Sequence, residues 1–231
     1  MLEMSHVDAF YGNSRALQGV NLNVGTGEFL AVLGRNGVGK TTLMRTILGL
    51  MDRATGAIVL DGTDISPLPT HRRAKAGIAY VPQGRGILPR FTVRENLTLG
   101  TFAASESHDD LEDWVVDLFP MLKEFMRRYG GNLSGGQQQQ LAIARALLAQ
   151  PKVILLDEPT EGIQPNIVEQ IEDVIIRLNR ERRITVILVE QNVAFARRAA
   201  TRFAFLEKGR VVADGMISEL SDDLVQRHMA V

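Results

Sequence analysis

Cysteine is absent from this chain of 231 residues, which excludes disulfide bonds and cysteine-ligated metal sites and fits a reducing compartment. The N-terminus, Met1–Ser5, lacks the basic stretch and apolar core of a secretory signal. No apolar run approaches the roughly 18–20 residues that a membrane-spanning helix needs. Net charge is also nearly absent, at −1, so the charge balance does not indicate a nucleic-acid-binding surface. We therefore expect any role at a membrane to depend on other chains that cross it.

What is present is the composition of an ordinary globular protein, 45% hydrophobic and 23% charged. The length suffices for one large α/β domain, with room for a small inserted lobe. Apolar runs typical of buried strands occur at Phe29–Leu33, Val153–Leu156 and Thr185–Val189. The last two flank a helical pattern at about 166–181, which predicts a parallel βαβ unit. Residues about 86–150 are mostly helical in pattern, so we predict one core with an inserted helical lobe.

Shorter patterns complete the predicted order of elements. Asp61-Gly62 is typical of a hairpin turn, and Pro120 should break or kink a helix. The further predictions are strands at Val20–Val24, Ile58–Leu60 and Ile78–Val81, a turn at Lys208-Gly209, and helices at about 40–50, from Asp109-Asp110, over Gln137–Ala149 and at about 217–228.

A glycine-rich loop lies between a predicted strand and a predicted helix. Its residues match G-x-x-x-x-G-K-[ST] without a gap: Gly34, Arg35, Asn36, Gly37, Val38, Gly39, Lys40 and Thr41. Glycines let the backbone approach phosphate oxygens, and the N–H groups then form an anion site at a helix N-terminus. Lys40 would reach the β- and γ-phosphates and Thr41 would bind Mg²⁺, with the Thr42 hydroxyl nearby. The alternative is a chance glycine-rich turn, and the loop alone does not choose between ATPase, GTPase and kinase.

Two carboxylates follow the apolar strand at Val153–Leu156. Ligands sit at the carboxyl ends of strands in open α/β sheets, so Asp157 is a candidate for the Mg²⁺ site. Glu158 points to the other side of the strand, where it is a candidate general base or water-polarising group. The alternative is a pair of solvated acids at a strand end.

A second glycine-containing turn precedes the predicted helix at Gln137–Ala149. It consists of Leu133, Ser134, Gly135, Gly136 and Gln137. Ser134 is a good N-cap residue, and the glycines leave the first N–H groups of the helix exposed, which makes a second anion site. One nucleotide does not need two such loops in one chain. A two-site sandwich, in which this segment closes on the γ-phosphate held by a partner, explains both; the alternative is a plain helix start.

These motifs, in this order, resemble the ATP-binding subunit of ABC transporters over essentially the full length. The resemblance implies an α/β P-loop core with an antiparallel β subdomain, formed by 1–85 and 151–231, and an α-helical subdomain inserted at 86–150. It implies ATP and Mg²⁺ as cofactors. It also implies that Tyr11 stacks on adenine and that Gln83 senses Mg²⁺ and the γ-phosphate.

The same resemblance implies partners. A second ATPase subunit, identical or different, would hold ATP at a shared interface, and membrane permeases would dock on the region Gly84–Gly100. A periplasmic binding protein would act indirectly, and the chain would lie on the cytoplasmic face of the inner membrane. Nucleic acid is not an expected partner.

Two positions depart from the common family pattern. Gln164 stands where the family often has Asp, and Gln191 stands where a switch histidine usually follows the next strand. Glutamine can donate to a phosphate oxygen but cannot titrate or carry positive charge. Gln191 is therefore compatible with a lower hydrolysis rate at this chain's own site.

Other stretches resemble particular branches of the family. Val189–Asn192 and Tyr80–Arg85 resemble the smaller ATPase of bacterial importers for branched-chain amino acids. Gly34–Gly39, Gln137–Gln140 and Glu158–Pro165 resemble its relative in urea or short-chain amide uptake, and we favour urea.

Two other classes of protein are alternatives to a transport ATPase. A soluble ABC-type ATPase of repair or translation usually carries a long coiled-coil insertion or two cassettes, and this sequence shows neither. A P-loop kinase would not explain the second glycine-containing turn, Leu133–Gln137, which is called the Ser134 segment below.

Overall fold

The computed structural model describes residues 1–104 and 113–229. The described strands are β1 (Leu2–Tyr11), β2 (Ser14–Val24), β3 (Phe29–Leu33), β4 (Arg53–Leu60), β5 (Thr63–Asp64), β6 (Ile78–Val81), β7 (Val153–Asp157), β8 (Thr185–Glu190), β9 (Arg202–Glu207) and β10 (Arg210–Met216). The described α-helices are α1 (Lys40–Ile47), α2 (Thr70–Lys75), α3 (Val93–Thr101), α4 (Asp113–Leu118), α5 (Pro120–Glu124), α6 (Gly135–Leu147), α7 (Pro165–Arg182), α8 (Val193–Ala199) and α9 (Asp222–Met229). The helix start predicted at Asp109-Asp110 lies outside the described residues.

A six-stranded sheet with the order β10-β9-β3-β8-β7-β6 forms the centre of the fold. Strands β9, β3, β8, β7 and β6 are parallel, and β10 pairs antiparallel with β9 at one edge. Every residue of β3, β7 and β8 is buried, because both faces of the sheet are covered, and this explains their continuous apolar runs. The carboxyl ends of β3, β6, β7 and β8 therefore meet at one edge of the sheet.

A second sheet, with the order β2-β1-β4-β5, is antiparallel throughout. The predicted hairpin turn is confirmed between β4 and β5: Asp61 and Gly62 have φ of 50° and 77°, as a tight hairpin turn requires. Apolar side chains of this sheet, such as Leu2 and Met4, share one buried cluster with Leu43 of α1 and with Leu30 of β3. This antiparallel sheet thus packs on the face of the central sheet that also carries α1.

The opposite face of the central sheet carries the helical region. Val93 of α3, Val115 of α4 and Leu141 of α6 belong to one buried cluster with Ala31 of β3. Between α4 and α5 the helix breaks at Pro120, where α5 begins, as predicted, since proline removes a helical hydrogen bond. The helical region is therefore continuous with the main core, and the subdomain limits at 86–150 stay a prediction.

The prediction of one last helix over 217–228 is wrong in its first part. A short 3₁₀ helix covers Ile217–Glu219, and α9 begins only at Asp222. The chain leaves helical geometry at Leu220 (ψ 82°), whose carbonyl accepts a hydrogen bond from Arg197 Nη2 at 3.0 Å. The Ser221 hydroxyl then accepts a hydrogen bond from the backbone N–H of Leu224, so it caps a new helix start.

Within residues 1–104 and 113–229, no helix combines the length and the apolar character that crossing a bilayer requires.

Candidate functional site

The glycine-rich loop at 34–39, the phosphate loop, connects the end of β3 to the start of α1. Gly34, Gly37 and Gly39 have φ of 152°, 78° and 110°, conformations that suit glycine. A Cβ on Gly34 would lie 2.5 Å from the carbonyl oxygen of Leu206. Gly39 occupies the N-cap of α1 and has no side chain to cap it, so the first N–H groups of the helix remain available. This geometry fits the phosphates of a nucleotide.

Lys40 turns back over this loop from the first position of α1. Its Nζ donates to the carbonyl oxygens of Gly34 at 2.7 Å and Arg35 at 3.0 Å. The side chain is only 5% exposed, so its charge lies in a poorly hydrated position where it acts strongly on a nearby anion. The structure thus places the ammonium group inside the curve of the loop.

Asp157 is fully buried at the end of β7, beside this loop. The Thr41 hydroxyl donates to its Oδ1 at 3.3 Å and the Tyr80 hydroxyl donates to its Oδ2 at 3.1 Å. Burial raises the pKa of Asp157, and the two hydrogen bonds oppose this shift. Hydroxyl and carboxylate oxygens are the ligands that Mg²⁺ prefers, so this pair of residues fits the ion. Sequence reasoning missed Tyr80, whose position opposite Leu155 depends on the pairing of β6 with β7.

Glu158 follows Asp157, and three side chains converge on its carboxylate. Lys40 Nζ lies 3.4 Å from Oε1, Gln191 Nε2 donates to Oε1 at 2.9 Å, and Gln83 Nε2 lies 3.4 Å from Oε2. Lys40 begins α1 after the loop that follows β3, and Gln191 and Gln83 lie just after β8 and β6, so the shared sheet edge assembles the cluster. Glu158 also has φ of 45°, an unusual conformation for a residue other than glycine and one that is often found at active sites.

Gln83 also donates to Glu161 Oε2, at 2.7 Å, so it spans two acidic residues that follow β7. An open cavity of about 330 Å³ lies in front of it. The cavity is lined by Asn36, Gly37, Gly39, Lys40, Thr41, Thr42, Gln83 and Glu158. Most of the predicted site residues of the phosphate loop and the two strand ends are therefore brought together.

Tyr11 lies at the rim of this cluster, at the end of β1. Tyr11 is 42% exposed, and its hydroxyl is 3.5 Å from Thr42 Oγ1. The guanidinium of Arg45 lies 5.8 Å from the ring centre. An exposed aromatic ring next to the phosphate loop offers a stacking surface for a flat group such as a base, so the adenine role stays a prediction with a suitable location.

The Ser134 segment forms the start of α6. The Ser134 hydroxyl accepts from the backbone N–H of Gln137 at 3.3 Å, and Gln137 Oε1 accepts from the N–H of Ser134 at 2.9 Å. This reciprocal pair is a capping box. Gly136 is needed sterically, because a Cβ there would lie 2.5 Å from Ile167 Cγ2. Although the structure describes the whole segment, none of its residues lines the cavity at the phosphate loop.

The chain was then compared with known families and proteins. The model of the ABC transporter family matches residues 17–161. A high-affinity branched-chain amino acid transport ATP-binding protein, BraG of Pseudomonas aeruginosa, is 43% identical over 92% of this chain and 91% of its own length. LivF of Archaeoglobus fulgidus, named a probable branched-chain amino acid transport ATP-binding protein, is 39% identical over 95% of this chain and 94% of its own length.

A solved structure shares the fold. It is a dimeric ATP-binding cassette in a post-hydrolysis state with ADP and phosphate bound. It superposes with a TM-score of 0.84 at 30% identity and covers 94% of this chain and 99% of its own. The predicted fold class, an α/β P-loop core with an antiparallel β sheet and helical elements, is thereby confirmed.

Proposed function

The chain belongs to the ABC transporter family and is an ATPase cassette, and from this premise we propose that it powers a bacterial importer whose membrane permeases are separate chains. The observation that carries this proposal is the convergence of Lys40, Gln83 and Gln191 on the carboxylate of Glu158, beside the phosphate loop. Hydrolysis of a bound nucleotide needs a carboxylate that is held beside the phosphates, where it can orient the attacking water and accept its proton.

The residues of the cavity divide into binding and positioning roles. The loop N–H groups and Lys40 hold the β- and γ-phosphates, and Tyr11 stacks on the base. Thr41, with Asp157 and Gln83 nearby, would hold Mg²⁺, which when bound supplies charge neutralisation on the phosphate oxygens. These roles account for the buried carboxylate of Asp157 and for the exposed ring of Tyr11.

Glu158 is the residue we assign to the attacking water. Its carboxylate orients the water and accepts its proton. The amides of Gln83 and Gln191 donate to this carboxylate and fix its direction. Because an amide cannot titrate, Gln191 orients Glu158 but cannot shuttle a proton.

ATP binds between two cassettes in this proposal. The solved relative is a dimer, and the Ser134 segment does not reach the phosphate loop of its own chain. The Ser134 segment therefore closes on the γ-phosphate held by a partner, which is a second copy or a different ATPase subunit. Closure is a population shift that ATP favours.

A permease surface is proposed at Gly84–Gly100, which runs from the end of the core segment 1–85 into the inserted helical subdomain at 86–150; the core also includes 151–231. Leu88 and Phe91 in this region are 38% and 42% exposed. Exposed apolar side chains of this size favour a protein interface. We place the chain on the cytoplasmic face of the inner membrane, with a periplasmic binding protein as an indirect partner.

The proposed substrate is a branched-chain amino acid or urea. BraG and LivF are named for branched-chain amino acids, which supports that class, and urea stays a prediction from the sequence. Uptake of labelled leucine and of labelled urea by cells that carry or lack this chain separates the two. If cells that lack this chain take up both compounds normally, neither is its substrate. That result would favour the alternative, a soluble ABC ATPase.

The test of the hydrolytic role is Glu158→Gln. The amide keeps the size of the carboxylate but cannot accept the proton, so turnover should fall by about 100-fold or more, while ATP affinity stays unchanged and an ATP-bound dimer accumulates. Steady-state phosphate release and size-exclusion chromatography measure these effects. Glu169→Gln, on the exposed part of α7, is the matched control. Full hydrolysis by Glu158→Gln would overturn the assignment.

A further inference from the structure

Glu190 is a buried carboxylate for which the roles above have no use. It is the last residue of β8 and is 5% exposed. Its Oε1 accepts a hydrogen bond from the Thr160 hydroxyl at 2.8 Å, and its Oε2 accepts from the backbone N–H groups of Gln191 at 3.0 Å and Asn192 at 3.2 Å. One side chain thus joins the loop that follows β7 to the turn that follows β8.

A carboxylate in this position is costly unless its oxygens are hydrogen-bonded. Burial raises the pKa of Glu190, and the bonds from Thr160, Asn192 and Gln191 oppose this shift. The rest of β8 is apolar except for Thr185 and is fully buried, so an apolar side chain would fill the same space without the cost. The carboxylate differs from such an apolar side chain in accepting three hydrogen bonds, from Thr160, Gln191 and Asn192.

These contacts lead directly to Glu158. Thr160 lies two residues after Glu158 on the same loop, and Gln191, whose backbone is held by Glu190, donates its side-chain amide to Glu158 Oε1 at 2.9 Å. Glu190 therefore holds the backbone from which the Gln191 amide reaches Glu158, and the Thr160 hydroxyl anchors the Glu190 side chain. Loss of its contacts would free the turn after β8 while leaving the phosphate loop intact.

We propose that Glu190 is a positioning residue that aims the amide of Gln191 at the carboxylate of Glu158 and affects hydrolysis only through Gln191. The proposal rests on the hydrolytic role of Glu158 proposed above. It makes a specific demand: without Glu190's acceptors, the identity of residue 191 should cease to matter.

A double-mutant cycle tests this demand. Glu190→Met keeps the length of the side chain but removes both acceptors. Gln191→Ala and Glu190→Met should each lower kcat by about tenfold with the KM for ATP changed less than about twofold, and the double variant should be no slower than either within about twofold. Multiplied effects in the double variant would overturn the proposal. A Gln191→Ala effect below about twofold would also overturn it, because nothing would then be transmitted.

The conservative variant Glu190→Gln provides a rescue arm. Its amide oxygen can still accept from the two backbone N–H groups, while its NH₂ donates to the Thr160 hydroxyl, which can reverse its role. Its kcat should therefore stay within about twofold of the parent and keep its sensitivity to Gln191→Ala. A rate as low as that of Glu190→Met would show that charge, not hydrogen bonding, matters, and would overturn the proposal.

A stability control separates positioning from folding. Asn179→Leu removes another buried polar side chain, which is 6% exposed and donates to the carbonyl oxygens of Gly27 and Ile184. It should lower the thermal midpoint without changing kcat. If Glu190→Met fails to fold, Thr160→Val, which removes one of the three contacts, replaces it in the cycle with the same expectation of non-additivity. Should Glu158→Gln hydrolyse ATP fully, the proposed function fails; should it be inactive while the cycle is additive, only the role of Glu190 fails.

Discussion

The phosphate loop at 34–39 and the Ser134 segment at 133–137 are both glycine-containing turns that precede a helix, but they are completed in different ways. Around the first, the side chain of Lys40 at the start of α1 meets those of Asp157 and Glu158 at the end of β7. At the second, the side chains of Ser134 and Gln137 bond the backbone of one another's residues. The first is a site assembled within one chain, whereas the second is a preformed helix start that a second chain can use.

The reason for the difference lies in the sheet. Parallel strands with buried faces bring their carboxyl ends to one edge, so loops distant in sequence become neighbours there. The start of α6 has no such edge. It is held instead by the packing of Gly136 against Ile167 and by its own capping box, with Ser134 exposed. The comparison predicts that variants of the two regions affect different quantities.

The largest effect is expected at the phosphate loop. Lys40→Ala removes the ammonium group that the loop encloses, so the affinity for Mg²⁺-ATP should fall by about 100-fold or more, as expected for a charge-assisted contact in a poorly hydrated site. Titration with a fluorescent ATP analogue measures this. Lys152→Ala, whose exposed partner is Asp61, is the control. Unchanged affinity for ATP would contradict the assignment of the phosphate loop as the nucleotide site within one chain.

A change at the second region should leave nucleotide binding intact. Ser134→Arg places a bulky side chain at the exposed start of α6, so turnover should fall by about 30-fold while the affinity of the single chain for ATP stays within about twofold. The loss of the cap costs about 1 kcal/mol of stability. Ser221→Arg removes an equivalent serine cap, at α9, and should lower stability without lowering turnover. An equal loss of affinity in Ser134→Arg would remove the distinction between the two regions.

The smallest effect is expected at Gln191, beside the phosphate loop. Gln191→His restores a side chain that can titrate near neutral pH at the position that contacts Glu158. Turnover should rise by about threefold, since general acid–base help is then added to orientation. The rate should depend on pH near 6–7 in the variant more steeply than in the parent. An unchanged rate and pH profile would show that this position is not limiting.

Much of the phosphate loop region could be predicted from sequence, because continuous motifs and the buried runs of β3 and β7 carry local signals. The convergence on Glu158 could not be predicted in the same way. It depends on β3 pairing with β8, which lies far away in the chain, and on the direction of the Gln191 and Gln83 amides. Tyr80 and Glu190 were missed for the same reason.

Prediction was weakest near the end of the chain. No strand was predicted at β9 or β10, since a short apolar run such as Phe203–Leu206 does not distinguish a buried strand from a helix by periodicity. The helix predicted at about 217–228 was wrong at its start, because a tertiary contact from Arg197 to the carbonyl of Leu220 holds the break. Local patterns do not contain such contacts.

The most direct test of the central claim, that the Ser134 segment serves another chain's phosphate loop, is a mixing experiment. Lys40→Ala and Ser134→Arg are each purified, and ATP hydrolysis is measured alone and in an equal mixture. If two copies pair at random, half of all dimers are mixed and each mixed dimer contains one intact composite site, so the mixture should recover about a quarter of the parent rate, although each variant alone retains only a few per cent of it. A mixture that contains mixed dimers yet stays as inactive as its components would contradict the claim.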